Sequence, residues 1–305
     1  MFAVTTLDRT EFDSAAPLLA FRFETAFGVP APRATATALE LLASLPTDAV
    51  AVVGRGVLVI AVPWRSPTGE TYFYVGAIGY EESSVSSLPG ALDLLRQELA
   101  RGRTSAALIV PTAPVELPLI SAMADAAEES LLLRAPCGGD VAESPEIRRA
   151  VPDDRPFIAS LLTEAIRRGF LLTQASVPAD PILERETARL LDDIYGPNGI
   201  ALVGIKEGRL VAHASGVVRP WDEFAEGPLA ELFDVFTLPA FSGRGIGDSL
   251  QACFRYEAAL RGARTAEGHI VPDRERVDNA NRVLAHLKEY GWRAHRYQVR
   301  IGTLG

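Results

Sequence analysis

Three glycines at alternate positions, Gly243, Gly245 and Gly247, punctuate the stretch "VFTLPAFSGRGIGDSLQACF" over residues 235–254. An apolar extended run leads to Pro239, and a helical pattern follows the glycines. A glycine-rich turn from strand into helix aims several free backbone N–H groups, and the positive end of the helix dipole, at one point. Such a point binds phosphate. Glycine lets the backbone approach a ligand closely and adopt positive φ. Arg244 either adds a charge there or points to solvent. The helix beyond places Ile246, Leu250, Cys253, Phe254 and Ala258 on one side, so it docks on a core. The commonest nucleotide loops do not fit. A Walker loop needs GxxxxGK[ST], and this turn has no lysine. A Rossmann turn needs GxGxxG near its first strand, with an acid about 20 residues on. Here the spacing is GxGxG, and it follows a hairpin and a long strand.

The elements that must position this turn are legible around it. "EIRRAV" reads as a short strand, and "FIASLLTEAI" has helical spacing. "PILERETARLLDDIYG" is a second helix, stopped near Gly196. Residues 200–220 read as a hairpin, two apolar runs around "KEGR". "LAELFDVFTL" is a third strand. After the turn and its helix come the strand "AEGHIVP", the helix "NANRVLAHLKEYGW" and the strand "HRYQVRI". The first half repeats the pattern less sharply. Helices are expected at "TEFDSAAPLLAFRFETAFG" and "ATATALELLASL", and strands at "AVAVVGRGVLVIAVPW" and "ETYFYVGAIGYE". Then follow the helix "LPGALDLLRQELARG", the strand "SAALIVPT", the helix "LPLISAMADAAEE" and the strand "SLLLRA". The element order is duplicated but the residues are not. The counterpart of the glycine turn, "SSVSSLPG" (83–90), has no GxGxG. "CGGDVAESPEIRRA" (137–150) reads as a linker.

Composition bounds the function. The 305 residues exceed one typical core and fit two domains. Residues 1–146 hold 18 Asp and Glu against 9 Arg and no Lys, which gives −9, while residues 147–305 are neutral. There is no basic footprint for nucleic acid. The acidic half reads as solubility, or as attraction for a cationic partner. No apolar run is long enough for a membrane span, and no leader pattern opens the chain; a cytoplasmic location is expected. Two cysteines and four scattered histidines form no ligand spacing, so no metal is expected.

"AELFDVFTLPAFSGRGIGDSL" resembles the core motif of the GNAT superfamily of acyl-CoA-dependent N-acyltransferases: an acidic residue, an apolar strand, a proline, then Arg/Gln-x-x-Gly-x-Gly/Ala opening a helix. "NANRVLAHLKEYGWRAHRYQVRI" resembles the family's closing part. The resemblance covers the second half by motif and the first only by element order. It implies an α/β chain with two GNAT-like domains in tandem, each a mixed, mostly antiparallel sheet flanked by helices. The degenerate copy spans 1–140 and the N-acyltransferase domain 147–305.

The resemblance also implies a site. The amides of Ser242, Gly243, Arg244, Gly245, Ile246, Gly247 and Asp248 would hold the pyrophosphate of acetyl-CoA or another acyl-CoA. Phe236, Thr237 and Leu238 would pair with the pantetheine amides, as a strand edge does. Asn279 or Asn281 matches the family's asparagine, with the register one residue off either way. Two positions depart from the pattern. Ser242 stands where Arg or Gln is usual. Leu287 stands where a tyrosine often protonates the leaving thiolate, with Tyr290 and His286 nearby in sequence.

Amine attack on a thioester needs a proton acceptor and a stabilised oxyanion. Glu231, at the start of the strand, is the first candidate base and Asp234 the second. By strand alternation the two face opposite sides unless a bulge intervenes. Backbone N–H near Phe236 or Thr237 would meet the oxyanion. The loop 219–228, with Trp221, Asp222, Glu223, Phe224 and Glu226, would form an acidic-aromatic lip for a cationic amine. The expected reaction is acyl transfer, acetyl first, to a primary amine of a small molecule or peptide by direct attack in a ternary complex. A non-catalytic acyl-CoA-binding scaffold and an enzyme using a carrier-protein-tethered donor are the alternatives. No nucleic-acid or membrane partner is expected, and monomer and homodimer both stay open.

Overall fold

The computed structural model describes residues 2–6, 12–46, 48–65, 71–101, 107–139, 146–174, 177–222, 224, 227–271 and 277–302. The chain runs β1 (Ala3–Thr6), α1 (Phe12–Phe27), α2 (Ala31–Ser44), β2 (Val50–Gly54), β3 (Val57–Arg65), β4 (Thr71–Tyr80), α3 (Leu88–Ala100), β5 (Leu108–Thr112), α4 (Leu117–Ser121) and β6 (Ala126–Pro136). It continues as β7 (Ile147–Arg149), α5 (Arg155–Gln174), α6 (Asp180–Tyr195), β8 (Gly199–Lys206), β9 (Arg209–Arg219), β10 (Leu229–Thr237), α7 (Ile246–Leu260), β11 (Thr265–Ile270), α8 (Val277–Glu289) and β12 (Arg293–Ile301). Two compact units divide the chain. The first is Met1–Leu131, Glu223–Ala225 and His295–Gly305; the second is Leu132–Asp222 and Glu226–Ala294. The sequence-based limits of 140 and 147 do not follow these units, because β6 begins in the first and ends in the second while β12 does the reverse. Of the expected linker, 140–145 lie outside the described residues, and β7 takes up 147–149.

In the first unit the strand order is β1-β2-β3-β4-β5-β12-β6. The pairs are antiparallel along β1-β2-β3-β4 and for β5–β12, but β4–β5 is parallel. One face of the sheet buries Leu88, Leu92 and Leu95 of α3 against Val59, Val75 and Ile78. The other buries Leu19 of α1 and Leu42 of α2 against Leu58, Ile60 and Ala77. Each such side chain contributes roughly 1.5–3 kcal/mol. Two sequence expectations change here. β1 was not expected. The helix expected over 117–129 shrinks to five residues, and Ala126 onward is strand. Asp125, at φ 61°, lies in the turn between that helix and β6. Glu129 then meets Arg300 of β12 at 2.7 Å, and Ser130 meets Gln298 at 2.9 Å, so sheet pairing overrides the helical propensity of "ADAAEE".

β4 and β5 pair only at Phe73–Leu108 and Tyr74–Ile109 and then part. Gly76 is an extra residue in β4, since Val75 faces Ala61 and Ala77 faces Ile60. The parted edges are closed by the unit's own side chains. Arg22 of α1 donates to both oxygens of Glu116, at 2.6 and 2.9 Å, and to the Pro111 carbonyl at 2.7 Å. Glu116 also accepts from the Ala113 N–H at 2.8 Å and the Tyr80 hydroxyl at 2.9 Å. Burial alone would raise the Glu116 carboxyl, but the Arg22 charge and these bonds bring it below the ordinary value. Burial, then the Glu116 charge, push the Tyr80 phenol up.

In the second unit the order is β6-β11-β10-β9-β8-β7. β7-β8-β9-β10 are antiparallel, and β10–β11 is parallel. α7 packs on one face, burying Leu250, Phe254 and Ala258 completely. Gly216 of β9 makes room for it: a Cβ there would lie 2.8 Å from the Phe254 ring and 2.0 Å from the Glu231 carbonyl. α5 and α6 cover the other face, with Ile158, Leu162, Leu191 and Ile194 around Val203. Each unit is thus a mixed, mostly antiparallel sheet flanked by helices.

Candidate active site

The site of the second unit starts where two parallel strands part. β10 pairs with β11 only from Leu229–Thr265 to Leu232–Gly268. Beyond that, β10 pairs among the described residues only with β9, up to Thr237–Ala212. The parting coincides with a bulge. Leu232 faces Gly216 and Asp234 faces Ser215, so Phe233 is the extra residue. The bulge settles which way the carboxylates point. Glu231 faces Val217 and Asp234 faces Ser215, two residues apart on β9, so both acids share one side of the sheet.

The two acids differ in their company. Glu231 binds the Arg219 guanidinium at 3.0 Å. Asp234 lies 3.1 Å from Nε2 of His213, which is completely buried and whose Nδ1 has no partner among the described residues. Asp234 also lines a cavity of about 210 Å³ in the gap between β10 and β11, with Phe233, Val235, Gln251, His269, Val283 and Leu287 among its walls. Glu231 does not line it. Leu287 presents an apolar side chain to the cavity. Tyr290 lies elsewhere: it is exposed, its ring tilted against His286 with centroids 4.9 Å apart, and the adjacent Asp248 carboxylate pushes its phenol up.

The glycine turn is open. Gly243 and Gly245 have φ of 74° and 76°, and a Cβ at either would meet nothing within 4 Å. The amides of Gly243, Arg244, Gly245, Ile246, Gly247 and Asp248 have no hydrogen-bond acceptor among the described residues, whereas Ser242 N–H donates to Pro239 O and Ser249 N–H to Gly245 O. Six orphan donors at the start of α7 fit a pyrophosphate. The Arg244 guanidinium sits 5.4 Å from the centre of the Phe241 ring. The Asp248 carboxylate is held by His286 at 2.8 Å. Phe236 and Thr237 end β10. Leu238 N–H donates to Val211 O, so strand alternation turns the Val235 and Thr237 amides toward the open edge. Asn279 and Asn281 both fall early in α8. Asn281 is exposed, and the side chain of Asn279 lies outside the described residues.

The lip expected at 219–228 is not an acidic-aromatic one. Asp222 is buried and takes both ends of the Arg134 guanidinium at 3.0 Å, while Glu267 takes its Nε at 2.9 Å. Phe224 belongs to the first unit, against Phe23, Phe27 and His295. Of the described acidic and aromatic residues in that loop, only Trp221 is exposed as expected. Glu223 and Glu226 lie outside the described residues. His213 and Gln251 were missed from sequence. His213 was one of four scattered histidines, and only the β9–β10 register reveals its acid.

Residues 166–276 match the acetyltransferase (GNAT) family model. The second unit is a GNAT-family domain. The fold of the whole chain is also found in solved structures. A GCN5-related N-acetyltransferase from Sphaerobacter thermophilus is 16% identical with a TM-score of 0.64, covering 100% of this chain and 96% of that one. A GNAT-family acetyltransferase from Colwellia psychrerythraea is 14% identical with a TM-score of 0.52, covering 98% and 99%. A GCN5-related glucosamine N-acetyltransferase region of a fungal multi-domain β-N-acetylglucosaminidase is 11% identical with a TM-score of 0.57, covering 99% of this chain and 38% of that one. At such identities the likeness is one of fold. No curated protein matches the sequence. Among the described residues, no helix is long and apolar enough to cross a membrane, and no group of three or more His, Cys, Asp or Glu could hold a metal ion.

Proposed function

We propose that the GNAT unit transfers an acyl group, acetyl first, from acyl-CoA to a primary amine of a small molecule or peptide. The observation that carries this reading is the run of six unpaired amides, Gly243–Asp248, at the end of the strand that lines the cavity. Those amides would hold the pyrophosphate, and the open edge of β10 would hold the pantetheine. The donor supplies a thioester carbonyl. The amine nitrogen bonds to that carbon, the C–S bond breaks, and the electron pair leaves on sulfur. Asp234, oriented by His213, takes the proton that the amine must lose. The β10 amides at the gap face the developing oxyanion. Direct attack is favoured because the two thiols make poor nucleophiles. Burial pushes Cys137 up to about 12 and also raises Cys253. A thiol of pKa about 8.5 leaves without much help, so apolar Leu287 at the cavity is compatible with turnover.

The test is release of free thiol, with intact-mass detection of product, from acetyl-, malonyl- and long-chain acyl-CoA against pools of amines. The wild-type chain should turn over one donor class. Gly245→Glu should not, because the new carboxylate fills the pyrophosphate space and a side chain strains a φ of 76°. Tight acyl-CoA binding without turnover would make this a binding scaffold. Turnover only with a carrier-tethered donor, untouched by free coenzyme A, would overturn the acyl-CoA assignment.

A further inference from the structure

The cavity between β10 and β11 has two unlike sides. Asp234 reaches it from the face covered by α5 and α6, because it pairs with Ser215, whose other strand partner, Ala201, packs on the cluster of Ile158 and Leu191. The α7 face is apolar at the cavity. Leu232 pairs with Gly216, where Phe254 of α7 packs, and a Cβ on Gly247 of α7 would stand 3.9 Å from a Val235 methyl. Val283 and Leu287 of α8 and the buried Trp292 complete these walls. Val283 is 40% exposed, so an apolar chain lying on it would gain by covering it. Gly268 is the last residue of β11 that pairs with β10, at the fork itself. Its φ is not positive, so the backbone there does not require glycine. What its missing side chain leaves is room. A Cβ would stand 3.6 Å from the Trp292 ring and 3.8 Å from Leu232 Cβ, both ordinary contact distances. The cavity of about 210 Å³ equals about seven water-sized shares of ~30 Å³. An acetyl thioester fills little more than half of that, and a chain of about four to six carbons fills it.

Resting on the acyl-transfer reading above, we propose that the α7–α8 side of this cavity is an acyl-chain pocket that admits straight apolar chains of up to about six carbons, with Gly268 as the residue that sets their length. The thioester carbonyl lies in the gap, its chain turned toward Leu232, Val235 and Leu287, and the amine comes from the side of Asp234. Acetyl is the smallest member of this class, and longer members gain contacts. Each methylene taken out of water is worth about fourfold in affinity. Leu287 is then a wall of the pocket rather than a missing acid. A dicarboxylic acyl group is disfavoured, because its terminal carboxylate would lose water among apolar walls in a cavity that already holds Asp234.

Competition calorimetry on the full chain tests this with coenzyme A and its acetyl, butyryl, hexanoyl, decanoyl and succinyl thioesters. Affinity should rise from acetyl to hexanoyl by about tenfold or more and stop rising at decanoyl. Succinyl should bind more weakly than butyryl. Gly268→Val puts a branched side chain into the pocket and should cut the hexanoyl-to-acetyl ratio by about tenfold. Val283→Phe narrows the pocket from α8, at a residue exposed enough to spare the core, and should cut the same ratio. Thiol release with the same donors should rank their kcat/KM in the same order. Failure of coenzyme A itself to bind would remove the site, and the pocket with it. Coenzyme A binding with equal affinity for the acetyl and hexanoyl thioesters would leave the site standing and overturn the pocket. So would a hexanoyl-to-acetyl ratio that neither variant changes.

Discussion

Glu231 and Asp234 carry the same group three positions apart, and their neighbours set them different tasks. Glu231 is held by Arg219, half-exposed, in a pair of the kind worth at most about 1 kcal/mol. Asp234 faces the cavity with a buried histidine behind it. Asp234→Asn should therefore lower kcat by about 10²–10⁴-fold while acyl-CoA affinity stays nearly constant. Glu231→Gln should cost far less. The Asp234→Asn deficit should shrink as pH rises, because the amine then arrives deprotonated. A deficit constant with pH would mean that Asp234 positions the substrate rather than taking its proton. At this scale the glycine turn was legible in sequence, because positive φ and free amides are local properties. The His213–Asp234 pair was not. It depends on a register across two strands and on one bulged residue.

At the scale of elements, hydrophobic periodicity located nearly all the helices and strands. It failed where tertiary pairing decides. "ADAAEE" reads as helix, yet Ala126–Glu129 belong to β6, where Arg300 of β12 meets Glu129 beside the Ser130–Gln298 bond. The bulges were equally invisible: Phe233 and Gly76 look like ordinary strand residues until their partners are known. Gly216 shows what such an element demands. It lies against the Glu231 carbonyl and the Phe254 ring, so α7 can sit close on β9 and β10. Gly216→Ala should cost about 1–3 kcal/mol or more by overpacking. Thermal melting should fall, and acyl-CoA affinity should fall with it, because α7 carries the turn. An unchanged melting temperature would show that α7 can shift away without loss.

At the scale of the whole chain, the duplicated element order conceals a difference in what each copy does with its parted strands. In the second unit β10 leaves β11 and exposes an open edge beside six unpaired amides. In the first unit the same parting is filled by Arg22, Glu116 and Tyr80, and the turn into α3 is wound into a short 3-10 helix over Glu82–Ser87. That helix spends amides on its own carbonyls, as Ser84 does on Glu81. The absence of GxGxG at 83–90 hinted at this in sequence, but the ion pair did not show, since its acid and base are far apart in the chain. A single acyl-CoA should therefore bind per chain. Calorimetry should give a ratio of one, and Gly245→Glu should reduce it to zero. Removing the plug should not create a second site. Glu116→Gln removes the carboxylate charge that Arg22 meets in the buried pair, and breaking such a pair costs about 3–5 kcal/mol, so the variant should melt earlier and still bind one donor. The same pair makes the first unit acid-sensitive. A carboxyl held below its ordinary value adds stability above the unfolded pKa of about 4 and loses it as pH falls through the folded one. Melting followed downward from pH 5 should show that loss, and Arg22→Met/Glu116→Gln should show less of it. A ratio of two donors per intact chain would mean that the Arg22–Glu116 pair yields to ligand, and the first unit would then have to be read as a second acyl-CoA site.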